Sequence, residues 1–270
     1  MHMILKNNPV HDLSKKQIYR KALFLRSQYR LYNLQNPQLD DLFKSSIDRF
    51  VIIASKLRYA KRVLDVGAGH GVLSSLLSEL GHECYALDIF DSTVKYSYVY
   101  QQKPIQFKIC NVEVDPIPFT HDFFDAVVCC QVLEHFTHSH LYAMNEINRV
   151  LKQGGIIEID VPNAVCFRNR SRMIRGKHIT YNYEKHYLYS TPVFYKGLSF
   201  YPERHNREFT AKELRTLLEA ANFKGIEVVF LKSRRHRVGL ERIRDIGSAA
   251  RDLIPSFRKS LIAFAQKETN

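Results

Sequence analysis

Short apolar runs alternate along most of the chain with segments in which apolar residues recur every three or four positions. The short runs are rich in β-branched and aromatic residues and predict strands, while the longer segments predict amphipathic helices. The predicted strands cover residues 62–66, 83–87, 105–109, 126–130, 156–161, 226–231 and 261–265. The predicted helices cover residues 72–80, 92–101, 141–151 and 212–221, the last with Thr210 as its N-cap.

This alternation is typical of an α/β fold in which a strand, a helix and the next strand follow one another. We therefore predict a doubly wound, mostly parallel seven-stranded sheet with helices on both faces. The last run, residues 261–265, predicts an antiparallel strand at the edge of the sheet or inserted into it.

Three segments interrupt the pattern. Residues 1–60 hold helical patterns around 17–32 and 42–57 and predict a helical cover for a domain at 61–270. Residues 164–209 hold nine Lys and Arg against three Glu, interleaved with six Tyr, and predict a substrate lid, since long loops in compact domains are usually functional. Residues 233–260 predict a basic helical insertion whose apolar stripe either packs on the domain or lies on an anionic membrane face.

Composition narrows the class of protein. No stretch approaches the roughly 18 to 20 apolar residues of a membrane span, and residues 1–20 hold no apolar signal region. The five cysteines contain no Cys-x-x-Cys pair, which argues against a disulfide framework and a zinc knuckle. We therefore expect a cytoplasmic protein, with peripheral contact at the inner membrane face through 233–260 as an alternative. The net charge of +13 favours anionic partners: phosphates, nucleic acid or anionic lipid.

The strongest local signal is the sequence R-V-L-D-V-G-A-G-H-G at residues 62–71, a strand that runs directly into three alternating glycines. Glycines serve where the backbone must turn tightly and approach a ligand without an intervening Cβ. Val72 stands where a dinucleotide fingerprint needs its third glycine, so the spacing favours a ligand without pyrophosphate. Asp88 ends the next strand, 21 residues after Gly67, where a carboxylate can accept hydrogen bonds from ribose hydroxyls.

From residue 62 to residue 231 the chain resembles the class I S-adenosylmethionine-dependent methyltransferases, which have a Rossmann-like fold. Three further motifs occur in the family's order: F-D-A-V-V-C-C-Q-V-L-E-H-F at 124–136, R-V-L-K-Q-G-G at 149–155 and D-V-P-N at 160–163. The resemblance implies S-adenosylmethionine as cofactor and the following contacts to it: Asp65, Gly67, Gly69 and Gly71 around the methionine part, Asp88 on the ribose, Asn111 and Val112 near the adenine, and Gln131 at the end of the fourth strand.

The candidate acceptor side follows the fourth strand, where the chain has Glu134 and His135. A His can take a proton near neutral pH, and a Glu-His pair can also hold a divalent ion. Ubiquinone-pathway O-methyltransferases and small-RNA ribose 2′-O-methyltransferases resemble this chain at a Glu-x-x-Glu-His element that binds Mg²⁺. Gln131 replaces their first Glu, so we predict no metal. His205, in R-H-N-R-E-F-T, is the third candidate catalytic residue.

These features favour O-methylation of a hydroxyl on a small-molecule or lipid-linked acceptor: a glycan, a lipid carrier or a quinone precursor. Base methylation is disfavoured, because the fourth strand is not followed by the Asn/Asp-Pro-Pro-aromatic turn of base N-methyltransferases. The high positive charge keeps nucleic acid, through RNA ribose 2′-O-methylation, as an alternative. A third alternative is a cofactor-binding scaffold protein without activity, against which the intact glycine turn and Asp88 argue.

Overall fold

The computed structural model describes residues 13–29, 32, 37–180, 182–232, 247 and 249–269, the side chain of Gln38 excepted. The strands in this part of the chain are β1 (Arg62–Val66), β2 (Glu83–Asp88), β3 (Ile105–Ile109), β4 (Phe124–Cys130), β5 (Leu151–Pro162), β6 (Val193–Tyr195), β7 (Leu198–Phe200), β8 (Phe223–Leu231) and β9 (Ser260–Lys267). The helices are α1 (Lys15–Gln28), α2 (Pro37–Lys56), α3 (Val72–Glu79), α4 (Ser92–Lys95), α5 (Ser97–Gln102), α6 (His140–Val150), α7 (Phe167–Ile174) and α8 (Ala211–Ala220).

Seven strands form one sheet in the order β3-β2-β1-β4-β5-β9-β8. The first five strands in this order run parallel to one another, whereas β9 runs antiparallel to both β5 and β8. The chain order reverses direction at β1 and β4, and α/β sheets bind ligands in the crevice at the carboxyl ends of such strands. The predicted doubly wound sheet with an antiparallel last strand is confirmed.

Two predicted elements have other bounds in the structure. β5 begins at Leu151 rather than at residue 156, because Gly154 adopts a left-handed φ of +71° and the pairing with β4 shifts register there. The glycine pair at residues 154–155 thus lies inside an irregular strand. The predicted helix 92–101 is two short helices, α4 and α5, separated at Tyr96, whose φ of −118° and ψ of 36° are not helical.

The N-terminal helices pack on one face of the sheet. Ile18 of α1 and Ile53 of α2 belong to the same buried cluster as Val63, Val128 and Ile262 on three strands. The division at residue 60 stays a prediction, as does the single domain at 61–270. None of the described helices has the length and apolar run that would be needed to cross a bilayer.

The two insertions differ in how much of them is described. Residues 164–209 contain α7, a π-helical turn at Glu184–Leu188 and the β6-β7 hairpin. They end before α8, whose N-cap is Thr210 as predicted: the Thr210 side chain accepts from the Glu213 amide, and Glu213 reciprocates. Most of the predicted basic helix at 233–260, including residues 233–246, lies outside the described residues, so its packing against the domain or a membrane stays a prediction.

Candidate functional site

The glycine turn after β1 is built by close backbone approach. Gly67 has φ +70° and its amide donates to the Leu87 carbonyl at 2.8 Å, which joins the turn to β2. A Cβ on Gly67 would lie 2.4 Å from Val132, and one on Gly71 would lie 2.8 Å from the Tyr100 ring. Neither position has room for a side chain, so the turn needs glycine for both its dihedral angles and its packing.

A cavity of about 470 Å³ opens beside this turn, at the carboxyl ends of β1, β2 and β4. We call it the glycine-loop cavity. Six of the eight predicted cofactor contacts line it: Gly67, Gly69, Asp88, Asn111, Val112 and Gln131. The predicted catalytic residue His135 lines it as well. Residues 111 and 131, which lie on separate elements, therefore share one wall with the glycine turn.

Asp88 anchors the turn and faces the cavity. Its carboxylate accepts from the Gly69 amide at 2.9 Å and from the Phe90 amide at 3.0 Å, and burial raises the pKa of Asp88. Each carboxylate oxygen can accept a further hydrogen bond, so both remain capable of binding the two hydroxyls of a ribose.

The remaining walls fit the other parts of S-adenosylmethionine. The buried Nδ2 of Asn111 has no hydrogen-bond partner among the described residues, and an adenine ring nitrogen would supply the missing acceptor. A Cβ on Gly69 would meet only the Gly67 carbonyl, at 3.9 Å, so the space in front of this glycine is open. The cavity thus offers an unpaired donor, a carboxylate and an exposed backbone where the predicted cofactor needs them.

Two predicted cofactor contacts, Asp65 and Gly71, do not line the cavity. Asp65 is 4% exposed and accepts from the Ser74 hydroxyl at 2.6 Å, and burial raises its pKa to about 7. Gly71 ends the turn as the left-handed N-cap of α3. Both residues support the glycine turn without lining the cavity. Their direct contact with the cofactor stays a prediction.

His135 stands between the glycine-loop cavity and a second, smaller one. This second cavity, of about 140 Å³, is lined by His135, His186, Tyr187, Glu203, Arg204 and His205, and we call it the histidine cavity. The Nδ1 atom of His135 lies 3.0 Å from the Arg204 carbonyl, and burial together with the neighbouring His205 lowers the pKa of His135. A carbonyl can only accept, so Nδ1 carries the proton and Nε2 of the neutral ring carries the lone pair.

The backbone of Glu134 holds the loop that contains His205 beside His135. The backbone carbonyl of Glu134 accepts from the amides of Asn206 and Arg207, at 2.7 and 3.2 Å. The rings of His135 and His205 then meet edge to face, with centroids 5.0 Å apart. The three predicted catalytic residues are therefore assembled at one point, although their catalytic roles stay predictions.

The same three residues meet the distance requirement of a metal site. One ligand atom from each of Glu134, His135 and His205 lies within 4.8 Å of the other two. The set does not fit Mg²⁺, however, which prefers oxygen ligands, because two of the three ligand atoms are imidazole nitrogens. Gln131 supplies no second charge, and its side-chain Nε2 donates to a carboxylate oxygen of Asp160 at 3.3 Å. Burial raises the pKa of Glu134 to about 8, so without a cation this carboxyl is largely neutral at pH 7.

A buried ion pair lies beneath Gln131. Nη1 of Arg49, from α2, lies 2.5 Å from a carboxylate oxygen of Asp160, which is fully buried at the end of β5. Gln131 has a left-handed φ of +56°, and its backbone amide donates to the backbone carbonyl of Asp160 at 2.7 Å. Non-glycine residues in this conformation are uncommon and cluster at functional sites. Arg49 was missed by sequence analysis, because its helical pattern does not indicate a partner on β5.

Other cavity residues were also missed. Phe200, Pro202 and Glu203 reach the glycine-loop cavity from the insertion at 164–209, so the predicted lid does border the site. His70 and Tyr96 add a pair of rings with centroids 4.4 Å apart. The break between α4 and α5 turns Tyr96 toward the glycine turn, and periodicity alone could not locate that break.

Comparison with known proteins gives the same answer as the geometry. A family model described as a methyltransferase domain matches residues 37–228. The mitochondrial ubiquinone biosynthesis O-methyltransferase of Mus musculus is 30% identical over 130 residues, which cover 46% of this chain and 34% of that protein. The ubiquinone/menaquinone biosynthesis C-methyltransferase of Nitrosospira multiformis is 30% identical over 131 residues, which cover 47% of this chain and 53% of that protein.

A solved structure extends the likeness over nearly the whole chain. The 1,6-didemethyltoxoflavin-N1-methyltransferase of Burkholderia thailandensis, bound to 1,6-didemethyltoxoflavin and S-adenosylhomocysteine, aligns with a TM-score of 0.53 at 20% identity. The alignment covers 99% of this chain and 98% of that one. At this identity the likeness concerns the fold.

The sheet order and the glycine-loop cavity define the class I S-adenosylmethionine-dependent methyltransferases. The chain belongs to the methyltransferase domain family, whose model matches most of its length. The family, the fold and the cofactor predicted from the sequence are confirmed. The matched segments span only about a third of the mouse relative and about half of the bacterial one.

We expect Asp88→Ala to weaken S-adenosylmethionine binding roughly 30- to 150-fold, because it removes two charge-assisted hydrogen bonds worth about 2 to 3 kcal/mol. Calorimetric titration of the purified variant measures this change. Glu219→Ala, which removes an exposed carboxylate on α8, is the matched control and should bind normally. Unchanged affinity in a folded Asp88→Ala protein would contradict the assignment.

Proposed function

We propose that this protein transfers the methyl group of S-adenosylmethionine to a hydroxyl oxygen of a small or lipid-linked acceptor, with His135 as general base. The observation that carries the proposal is the position of His135, which lines both the glycine-loop cavity and the histidine cavity. A base for this reaction must reach the acceptor oxygen while that oxygen faces the methyl group. A residue on the wall between the two cavities meets this requirement.

The protonation state of His135 supports the same role. Bound S-adenosylmethionine supplies an activated methyl group on sulfur. His135 would take the hydroxyl proton at Nε2 while the oxygen–methyl bond forms and the sulfur–methyl bond breaks. The lowered pKa of His135 keeps the ring neutral at pH 7 and thus able to accept this proton.

The acceptor class follows from the size of the histidine cavity and from the relatives. A space of about 140 Å³ holds roughly one ring-sized group, which suits a phenol or a sugar. The mouse relative is named as an O-methyltransferase of ubiquinone biosynthesis, which favours a phenolic hydroxyl. The Nitrosospira relative is named as a C-methyltransferase, and the atom that takes the label distinguishes the two reactions.

Labelling of separate extracts tests this proposal. Purified protein is incubated with S-adenosylmethionine carrying a labelled methyl group and with lipid, glycan and RNA fractions. We expect label in the lipid or the glycan fraction, at an ether methyl. Label in RNA would instead establish the ribose 2′-O alternative, label on carbon would contradict O-methylation, and cofactor binding without any transfer would indicate a scaffold.

We also propose that transfer needs no metal ion. Added chelator should leave the rate of methyl transfer essentially unchanged, because the donor set around Glu134 contains one carboxylate and two imidazoles rather than the oxygens that Mg²⁺ prefers. The assay compares initial rates with and without chelator in the fraction that takes label. Loss of activity that Mg²⁺ restores would contradict this prediction, and restoration by Zn²⁺ or Mn²⁺ alone would identify a transition-metal site.

A further inference from the structure

A third cavity, within the insertion at 164–209, adjoins the histidine cavity at Tyr187. This third cavity has a volume of about 570 Å³ and is lined by Arg172, Lys177, His178, Thr180, Asn182, Tyr183 and Tyr187. We call it the basic cavity. Tyr187 lines both the histidine cavity and the basic cavity, just as His135 lines both the glycine-loop cavity and the histidine cavity. The three cavities are therefore adjacent: His135 and Glu203 separate the first two, and Tyr187 separates the second from the third.

The lining of the basic cavity has one sign of charge. Arg172 and Lys177 are basic side chains, His178 adds an imidazole, and none of the described lining residues is acidic. Thr180 and Asn182 add side chains able to donate hydrogen bonds. Such a concave set of cations and neutral donors suits an anion with several oxygens.

Contacts within the insertion give this cavity a defined shape. Nε of Arg172 donates to the His178 carbonyl at 2.7 Å, which ties the loop at 178–180 to α7. The His178 ring lies 2.7 Å from the Thr180 hydroxyl. On the other side, the rings of Tyr183 and Tyr187 are stacked, with an interplanar angle of 9°. The hydroxyl of Tyr187 donates to the His205 carbonyl, so this wall is fixed to the histidine cavity.

We propose that the basic cavity binds a phosphate or diphosphate group of the methyl acceptor. The inference rests on the proposed function and deepens it: the acceptor is a ring-sized hydroxyl compound that carries an anionic phosphate on the side away from the cofactor. The reacting hydroxyl lies in the histidine cavity, and the acceptor passes Tyr187 to reach Arg172 and Lys177. Methyl transfer itself leaves the phosphate unchanged.

The charges along the path favour a small phosphorylated acceptor over nucleic acid. Glu203 lines both the glycine-loop cavity and the histidine cavity, so a negative charge stands next to the reacting position. An internal ribose of a polynucleotide would bring phosphates to both sides of the reacting hydroxyl, one of them close to Glu203. An acceptor with phosphate at its far end alone avoids this repulsion.

Calorimetric titration with inorganic pyrophosphate tests the inference without an identified acceptor. Pyrophosphate should bind the wild-type protein at low salt, and Lys177→Ala should weaken binding about tenfold, as expected for loss of one charge-assisted contact. Lys177→Arg should retain binding. Arg175→Ala is the matched control: it removes the same charge two residues away, from a side chain that does not line the cavity, and should change binding less than about twofold.

The same titration separates the competing explanations. Equal weakening by Lys177→Ala and Arg175→Ala would mean that binding follows net charge, and it would overturn the inference, as would absence of pyrophosphate binding. Single-stranded RNA and phosphatidylglycerol vesicles are titrated in parallel. Binding of either that depends on Lys177, without pyrophosphate binding, would assign the cavity to nucleic acid or to a lipid surface instead.

Failure of this inference is distinguishable from failure of the proposed function. Pyrophosphate binding requires neither S-adenosylmethionine nor turnover. If an acceptor that carries phosphate takes label on a hydroxyl at the wild-type rate in Lys177→Ala, the proposed function stands and the phosphate site is wrong. If pyrophosphate binds at Lys177 while label appears on carbon, the phosphate site stands and O-methylation is wrong.

Discussion

Replacement of Arg49 by Leu is expected to lower the free energy of unfolding by about 3 to 5 kcal/mol, the usual cost of removing one partner of a buried ion pair. The Arg49 side chain is 15% exposed and that of Asp160 is not exposed. Fully buried Glu158 stands two residues before Asp160 on β5, and burial raises the pKa of both carboxyls, while Arg49 opposes the rise. Without the guanidinium, these groups lose their compensating charge.

Urea unfolding of the variant and of a matched control measures the effect. Arg26→Leu removes the guanidinium of another Arg–Asp pair, with Asp40, whose side chains are 30% and 33% exposed. Because water screens that pair, its loss should cost no more than about 1 kcal/mol. Equal destabilisation by the two substitutions would contradict the argument, and Asp160→Asn should recover part of the loss in Arg49→Leu but not in Arg26→Leu.

The pH dependence of Arg49→Leu has a definite sign. Burial raises the pKa of Asp160 above its value in the unfolded chain, and loss of Arg49 raises it further. The folded variant therefore binds a proton more readily than the unfolded chain does, so acid favours its folded state. The unfolded chain binds protons equally in both proteins, so the deficit relative to wild type should be largest at alkaline pH, where Asp160 is ionised in both folded states. It should shrink as the pH falls through the raised folded-state pKa of Asp160 in the variant, and stop changing once wild-type Asp160 is protonated as well.

Local spacing was sufficient to predict the cofactor side of the site. β1 and β3 have the predicted bounds. β1 is a mainly apolar run that ends directly before Gly67, and β3 alternates apolar and polar residues directly after Pro104. Gly67, Gly69 and Asp88 lie together because parallel strands place their carboxyl ends at one edge. For these residues, sequence order and spatial order are the same, so a reading along the chain recovers the arrangement.

The acceptor side depends on contacts between distant segments. Tyr187 reaches the His205 carbonyl across the insertion, and Arg49 reaches Asp160 from a helix that seemed only to cover the sheet. Neither contact follows a period of two or 3.6 residues, since each joins irregular or separate elements through a single polar group. Charge composition indicated a basic insertion, but only the fold separates Lys177, which lines the basic cavity, from Arg175, which does not.

His135→Ala is expected to lower turnover by about 10² to 10⁴-fold with little change in S-adenosylmethionine affinity, since a general base acts on the transition state and not on cofactor binding. Rates are measured with the extract fraction that takes label. His121→Ala, which removes an exposed imidazole outside the three cavities, is the control and should keep wild-type turnover. Turnover of His135→Ala within a few-fold of wild type would leave His135 with a structural role only.

A second substitution separates the base from its hydrogen bond. In His135→Asn the amide nitrogen takes the place of Nδ1 and can still donate to the Arg204 carbonyl, but nothing replaces the lone pair of Nε2. If His135 is the base, Asn should be as inactive as Ala; if it only holds the loop, Asn should restore turnover. The wild-type rate should also fall in acid as the ring becomes protonated, below the ordinary His pKa of about 6.5 because burial lowers the pKa of His135. The residual activity of His135→Asn should lack this acid limb, because the imidazole that takes the proton has been removed.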